Sequence, residues 1–167
     1  MKKVIRYMIA DYLSTQEAGA ENPAFVLMNA GFTALDENPS AKIDSTPYVG
    51  DRSNSGTITG YENTFPFDTH FISDEAAIKK IYDIARNQLT GDDAECDYVR
   101  VDLFDGEEDA TSFPARKFRV AVEVTSISGA GTEIVKVAGN LHQVGNFAEG
   151  TFDTQTKTFT PKAKTTA

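Results

Sequence analysis

Between residues 117 and 142 the chain alternates apolar and polar side chains twice over, across a single glycine-containing turn, and few folds accommodate that pattern. Residues 117–126 put Phe118, Val120, Val122 and Val124 on one face and Lys117, Arg119, Glu123 and Thr125 on the other. After Ser128-Gly129-Ala130-Gly131, residues 132–142 return with Val135, Val137 and Leu141 facing in. Successive side chains of a strand point to opposite sides, so a period of two kept up this long predicts a long antiparallel hairpin with one buried surface.

The rest of the chain agrees with a mainly β fold. Residues 4–13 and 24–35 are rich in apolar and β-branched side chains and predict strands, as do residues 98–104 with Val99, Val101 and Leu103. In residues 57–72 the odd positions Tyr61, Phe65, Phe67 and Phe71 are aromatic, which predicts one strand with a buried face; Pro66 should mark a bulge, a break or an edge. The helical pattern lies at about 74–90: Ser73 as N-cap, an apolar stripe of Ala77, Ile78, Ile81, Tyr82, Ala85 and Leu89, and Gly91 as the stop. About eight strands and one helix, without βαβ alternation, predict an antiparallel β-sandwich or flattened barrel flanked by that helix. Its expected core includes Phe65, Phe67, Ile78, Ile81, Leu89, Val120 and Val122.

Two segments do not fit a self-contained core. Residues 36–54 read as a long loop around a short strand at 41–48, with Pro39, Ile43, Pro47 and Tyr48 exposed to serve as contacts; loops of this length in a compact domain are usually functional. Residues 151–161 space Phe152 and Phe159 among threonines, too polar for a core and too β-prone for a linker, so an extended arm that pairs with another molecule is expected from 150 onward. The whole, residues 1–167, reads as one domain, because a chain of this length buries roughly 70 % of its unfolded surface.

Charge narrows the function. The net charge is −9, and residues 92–109 hold nine carboxylates (Asp92, Asp93, Glu95, Asp97, Asp102, Asp105, Glu107, Glu108, Asp109) against Arg100 alone. Such a chain is unsuited to gripping nucleic acid, which requires clustered Lys and Arg, although a like-charged wall lets nucleic acid slide past without sticking. The carboxylates of residues 102–109 could offer oxygens to a hard cation, but their spacing is not that of an EF-hand loop, and a solvated acidic loop is the plainer reading. His70 and His142 stand at polar strand positions without a Ser, Cys or carboxylate motif nearby, and Cys96 has neither a CxxC partner nor a catalytic signature. The expectation is a non-enzymatic protein without metal or cofactor. The apolar run at the start is broken by Arg6 and Asp11 and reads as a strand of the mature protein, and no stretch approaches the roughly 20 apolar residues of a membrane span.

Several motifs then combine into a resemblance. Gly145-Asn146-Phe147 through Gly150-Thr151-Phe152-Asp153, followed by residues 156–160, is similar to the G-x-F-D-x-x-T-x-x-F-T close of tail tube (major tail) proteins of tailed bacteriophages and phage-tail-like particles. Residues 134–141 with Gly139-Asn140 resemble that family's penultimate strand, and Tyr48-Val49-Gly50-Asp51, Gly60-Tyr61, Phe65, Phe67 and the helix ending at Gly91 follow its middle section. The likeness covers about residues 25–160. It implies a β-sandwich flanked by a helix, six copies closing into a ring, and rings stacking into a hollow tube through which DNA or an injected cargo passes.

The same resemblance implies as partners other copies of the chain, a tape-measure protein, tail-end or baseplate proteins and, in a contractile tail, a sheath, with no membrane. It places the protein in the virion tail after assembly in the host bacterial cytoplasm. Candidate subunit contacts are then Pro39, Ile43, Pro47, Tyr48, Thr151, Phe152, Asp153, Phe159 and Pro161. Candidate acidic lumen or rim residues are Asp92, Asp93, Glu95, Asp102, Asp105, Glu107, Glu108, Asp109 and Glu123. The competing reading is a β-sandwich ligand-binding or adhesin module.

Overall fold

The computed structural model describes residues 1, 3–50, 52–107 and 110–163. Among them the chain forms ten strands and one α-helix: β1 (Ile9–Ser14), β2 (Phe25–Leu27), β3 (Phe32–Leu35), β4 (Ala41–Thr46), β5 (Ser55–Tyr61), β6 (Thr64–His70), α1 (Ala76–Arg86), β7 (Glu95–Asp102), β8 (Ser112–Ser128), β9 (Lys136–Asp153) and β10 (Thr158–Pro161). Seven strands run side by side in the order β2-β1-β7-β8-β9-β6-β3, and β10 adds to the last residues of β9. Every neighbouring pair is antiparallel. β4 and β5 form a separate two-stranded sheet.

Strand order dictates the shape of the large sheet. β2 and β3 occupy its opposite edges, yet only residues 28–31 separate them in sequence. A fully extended link of that length spans at most about 17 Å, whereas seven flat strands would set their outer members about 29 Å apart. The sheet therefore curls into a half-barrel. Gly31, at φ 82°, makes the crossing: a Cβ there would stand 2.8 Å from the His70 carbonyl oxygen.

The long hairpin is the spine of the barrel. β8 and β9 pair along their length with two register shifts, and at the second of these Gly139 lets the strands close up, since a Cβ on it would overlap the Glu123 carbonyl. Inside the curl, Leu13, Phe65, Phe67, Tyr98, Phe118, Val120, Val122 and Leu141 pack with Ile81 and Ile84 of α1. On the opposite face Tyr12, Phe25, Val99, Val101 and Ala115 form a second cluster around Phe152. β7 contributes to both, which is why six consecutive residues of it are buried.

The antiparallel flattened barrel with one flanking helix is thus the observed architecture, with differences in detail. The helix is shorter than residues 74–90: its N-cap position is Glu75, not Ser73, and it ends in a Schellman motif with Gln88 at φ 49° in the place usually held by glycine. Gly91 follows this stop, and Leu89, past the last turn, is 38 % exposed and outside the core. Residues 24–35 break into two edge strands, and residues 57–72 break at Glu62 and Asn63, so the aromatic period restarts and Tyr61 is exposed. Pro66 lies within paired β6. Its carbonyl accepts the Asp36 N–H, so its nitrogen faces the same side, where its missing N–H leaves a single gap between β3 and the Asn38–Thr64 bridge.

The largest correction concerns the C-terminal arm. Residues 151–161 do not project; β9 carries Thr151, Phe152 and Asp153 alongside β8, and β10 folds back on them. Phe152 is fully buried, 4.4 Å from the Tyr12 ring and 5.7 Å from that of Phe25. Phe159, opposite Phe152, packs against the same cluster. Threonines at alternate positions face solvent here, so the segment reads as polar overall while one side fills a core.

Candidate assembly surfaces

The segment expected as a loop at 36–54 is mostly a hairpin standing off the barrel. Ala41 pairs with Tyr61 and Ile43 with Ile58, so four apolar side chains share one face, while Lys42, Asp44 and Thr46 take the other. Nothing within the described chain covers the apolar face: Ile43 is 68 %, Ile58 55 % and Tyr61 63 % exposed. Tyr48 and Val49 at the tip, together with Pro39 and Pro47, are exposed as well. A lone two-stranded hairpin is marginal in water, and a contiguous exposed apolar surface marks a contact site.

The hairpin joins the barrel through a short stem. Asn38 and Thr64 exchange backbone hydrogen bonds of 2.8 and 3.0 Å, and the Glu62 N–H donates to Ser40. Just below, Glu37 reaches into the barrel mouth, where Arg116 donates to both its oxygens at 2.8 and 2.9 Å, Asn63 donates at 3.3 Å and the Arg100 Nε lies at 3.6 Å. Burial pushes the Glu37 carboxyl upward, but the Arg116 hydrogen bonds and the charges of Arg116 and Arg100 outweigh it and hold the group below the ordinary glutamate range.

Behind this lies a second buried carboxylate. Asp11 accepts hydrogen bonds from the Tyr98 hydroxyl and from Arg6 at 2.5 Å, and Arg6 also donates to the Leu35 carbonyl at 3.0 Å. Burial, and then Asp11, push the Tyr98 hydroxyl well above its usual value, so it stays a donor. Arg6 thereby links β1 to the edge of β3 across the open seam of the half-barrel.

The acidic residues are dispersed. Asp92 and Glu95 both pair with Arg119, Asp97 is buried against Lys117 at 3.2 Å, and Asp102 is half-buried, its carboxyl raised by burial. Asp93, Asp105 and Glu107 are exposed, and Glu108 and Asp109 lie outside the described residues. Glu123 accepts from Asn140 at 2.9 Å and lies 2.8 Å from His142 Nε2 on the open face of the hairpin. Among the described residues, no three His, Cys, Asp or Glu side chains converge to hold a metal ion.

A further surface escaped the sequence reading. β6 runs from the stem at Thr64, opposite His142, to His70, opposite Lys136, so the turn joining β8 and β9 lies at the other end of the sheet from the hairpin. There Ile127, Ile134 and Val135 are 48, 60 and 41 % exposed, and Ile72 adjoins them through the Phe71 N–H, which donates to Val135. Val135, expected to face in with Val137 and Leu141, precedes the start of β9 at Lys136 and stays out of the core. The only signal was a pair of isoleucines flanking the glycine turn, which alternation alone assigns to a strand interior.

Among solved structures the SPP1 tail tube, determined by solid-state NMR and cryo-EM, superposes with a TM-score of 0.65 at 12 % identity, over 88 % of this chain and 78 % of that one. The chain has a tail-tube fold. A component of the anti-feeding prophage baseplate, solved with six-fold symmetrisation, matches the tail-tube fold here with a TM-score of 0.51 at 7 % identity, over 93 % of this chain and 99 % of that one. No family model and no curated protein matches the sequence. Among the described residues, no helix of this tail-tube fold is long and apolar enough to cross a membrane.

Proposed function

We propose that the chain is a non-enzymatic structural subunit of a phage-tail-like tube, assembling with copies of itself into six-membered rings that stack head to tail around a lumen. The observation that carries this reading is the β4–β5 hairpin: an amphipathic element with Ile43, Ile58 and Tyr61 bare, at the end of the barrel opposite the bare Ile72, Ile127, Ile134 and Val135. Two different surfaces at opposite ends make a heterologous contact, and a contact of that kind directed along one axis propagates as a stack because no rotation closes it. The apolar face of each hairpin docks on the aliphatic end of a copy in the next ring. The fold shared with a tail tube and a baseplate protein, the latter in a six-fold symmetrised assembly, supports the same arrangement.

Ring contacts use exposed strand edges, among them the outer side of β10 with Pro161. Of the acidic candidates among the described residues, Asp92, Asp93, Asp105, Glu107 and Glu123 are the exposed ones that would give the lumen or rim a negative potential, letting DNA or another cargo pass without adhering. Tape-measure and baseplate proteins are the partners that such a tube requires, and the virion tail is its location. Negative-stain microscopy of concentrated protein tests the proposal: hollow tubes or stacked rings are expected, and a uniform population of monomers at millimolar concentration contradicts it.

A further inference from the structure

We propose that Glu37 is a positioning residue: its grip on Arg116 and Arg100 fixes the direction in which the β4–β5 hairpin leaves the barrel, and ring stacking depends on that direction. The inference rests on the reading of the hairpin as the contact between copies.

The stem has few ties of its own. Above the Asn38–Thr64 pair, among the described residues, the Glu62 N–H donates to the Ser40 carbonyl at 3.1 Å and the Glu62 carboxylate meets Lys42 at 2.8 Å in an exposed, solvent-screened pair. At that level the chain bends: Ser40 adopts φ 48° without being glycine, and a register shift follows between Lys42 and Ile43. A left-handed residue and a bulge in succession turn the hairpin away from the sheet. The bend sets the hairpin's angle to its stem, so its direction relative to the barrel depends on how the stem is held below.

Both legs of the stem are held there. On the first leg, the Glu37 carboxylate takes the Arg116 guanidinium at 2.8 and 2.9 Å, with Arg100 at 3.6 Å, which ties it to β8 and β7. On the second, the Asn63 side chain donates to Glu37 at 3.3 Å and the Asn63 carbonyl accepts the Gln143 N–H of β9 at 3.0 Å. A two-pronged guanidinium–carboxylate pair fixes a plane as well as a distance. Arg116 is itself held, lying over the Phe118 ring at 5.4 Å, and Arg100 lies over Phe65 at 5.9 Å. Six strand residues reach about 20 Å, so a swing of about 20° at the stem moves the tip by about 7 Å, enough to lose a side-chain-sized fit.

The test uses spin labels at Asn54→Cys and Ser128→Cys, both exposed, in protein diluted below assembly; the native Cys96 is buried, with its thiol pushed up to about 11 by burial, and stays unlabelled. The parent should give one narrow distance. Glu37→Gln, measured well below its own lowered melting temperature, should at least double the width, and should raise the concentration needed for tubes at least tenfold. Arg116→Lys, which keeps the charge and loses the fork, should do the same and decides the matter if Glu37→Gln fails to fold. A width unchanged in these variants, or tubes forming at the parent concentration despite a broad distance, overturns the proposal. Ile43→Asp with the pin intact separates the two claims: if that variant still assembles, the hairpin reading itself has failed.

Discussion

Ile43 and Ile58 face each other across the β4–β5 hairpin, and both are more than half exposed. Each hides about half its apolar surface at most, as the proposed contact with another copy requires. Ile43→Asp or Ile58→Asp should leave the melting temperature within a degree or two of the parent, since a surface change away from packing stays within about 0.5 kcal/mol. Assembly, followed by sedimentation velocity, should be abolished. Loss of folding in these variants would show instead that the hairpin packs within its own chain.

Phe152 sets a different expectation for the C terminus. With its ring buried against Tyr12 and Phe25, Phe152→Ala should cost about 3–5 kcal/mol. Truncation after Gly150 should likewise unfold the second cluster instead of merely detaching an arm. Urea denaturation monitored by circular dichroism measures both; a truncated chain as stable as the parent would contradict the packing.

At Gly139 β9 runs so close to β8 that no side chain fits between them. A methyl group there meets the Glu123 carbonyl and the Val124 Cα, so Gly139→Ala should force the bulge apart and destabilise by about 1–3 kcal/mol, seen as a lowered denaturation midpoint. Unchanged stability would mean that the bulge absorbs a side chain.

Glu37 makes folding sensitive to acid. Its carboxyl lies below the ordinary range in the folded chain, so its contribution is complete above the unfolded value of about 4.3. That contribution is lost as pH falls through the lower, folded value, where the native state must take up a proton it resists. The stability gap between the parent and Glu37→Gln should therefore be widest near pH 7 and shrink progressively below about pH 4. A gap independent of pH between 7 and 3 would remove the ion pair from the account.

Much of this fold was legible because period-two alternation reports burial directly: β6, β8 and β9 show it, and Phe65, Phe67, Val120, Val122, Ile78 and Ile81 are all core. Legibility failed where a residue's surroundings are set by distant chain. Leu89 continues the helical stripe, but the helix unwinds at Gln88; Phe152 sits among threonines, yet its face is closed by β1 and β2, more than a hundred residues away. The hairpin was legible only as an anomaly, since Asp, Ser and Pro around Ile43 and Tyr48 read as a loop. The Glu37–Arg116 pin left no local signal, because its partners are 79 positions apart.

The central claim, that the hairpin of one copy rests on the far end of the next, can be tested by cross-linking. The chain's single cysteine, Cys96, is buried, so Ile43→Cys combined with Ile134→Cys gives two addressable thiols at opposite ends of the molecule. Under mild oxidation of concentrated protein the account predicts a ladder of disulfide-linked multimers, absent from either single variant beyond the dimer. A double variant that yields no species larger than a dimer, while still forming tubes, would contradict it.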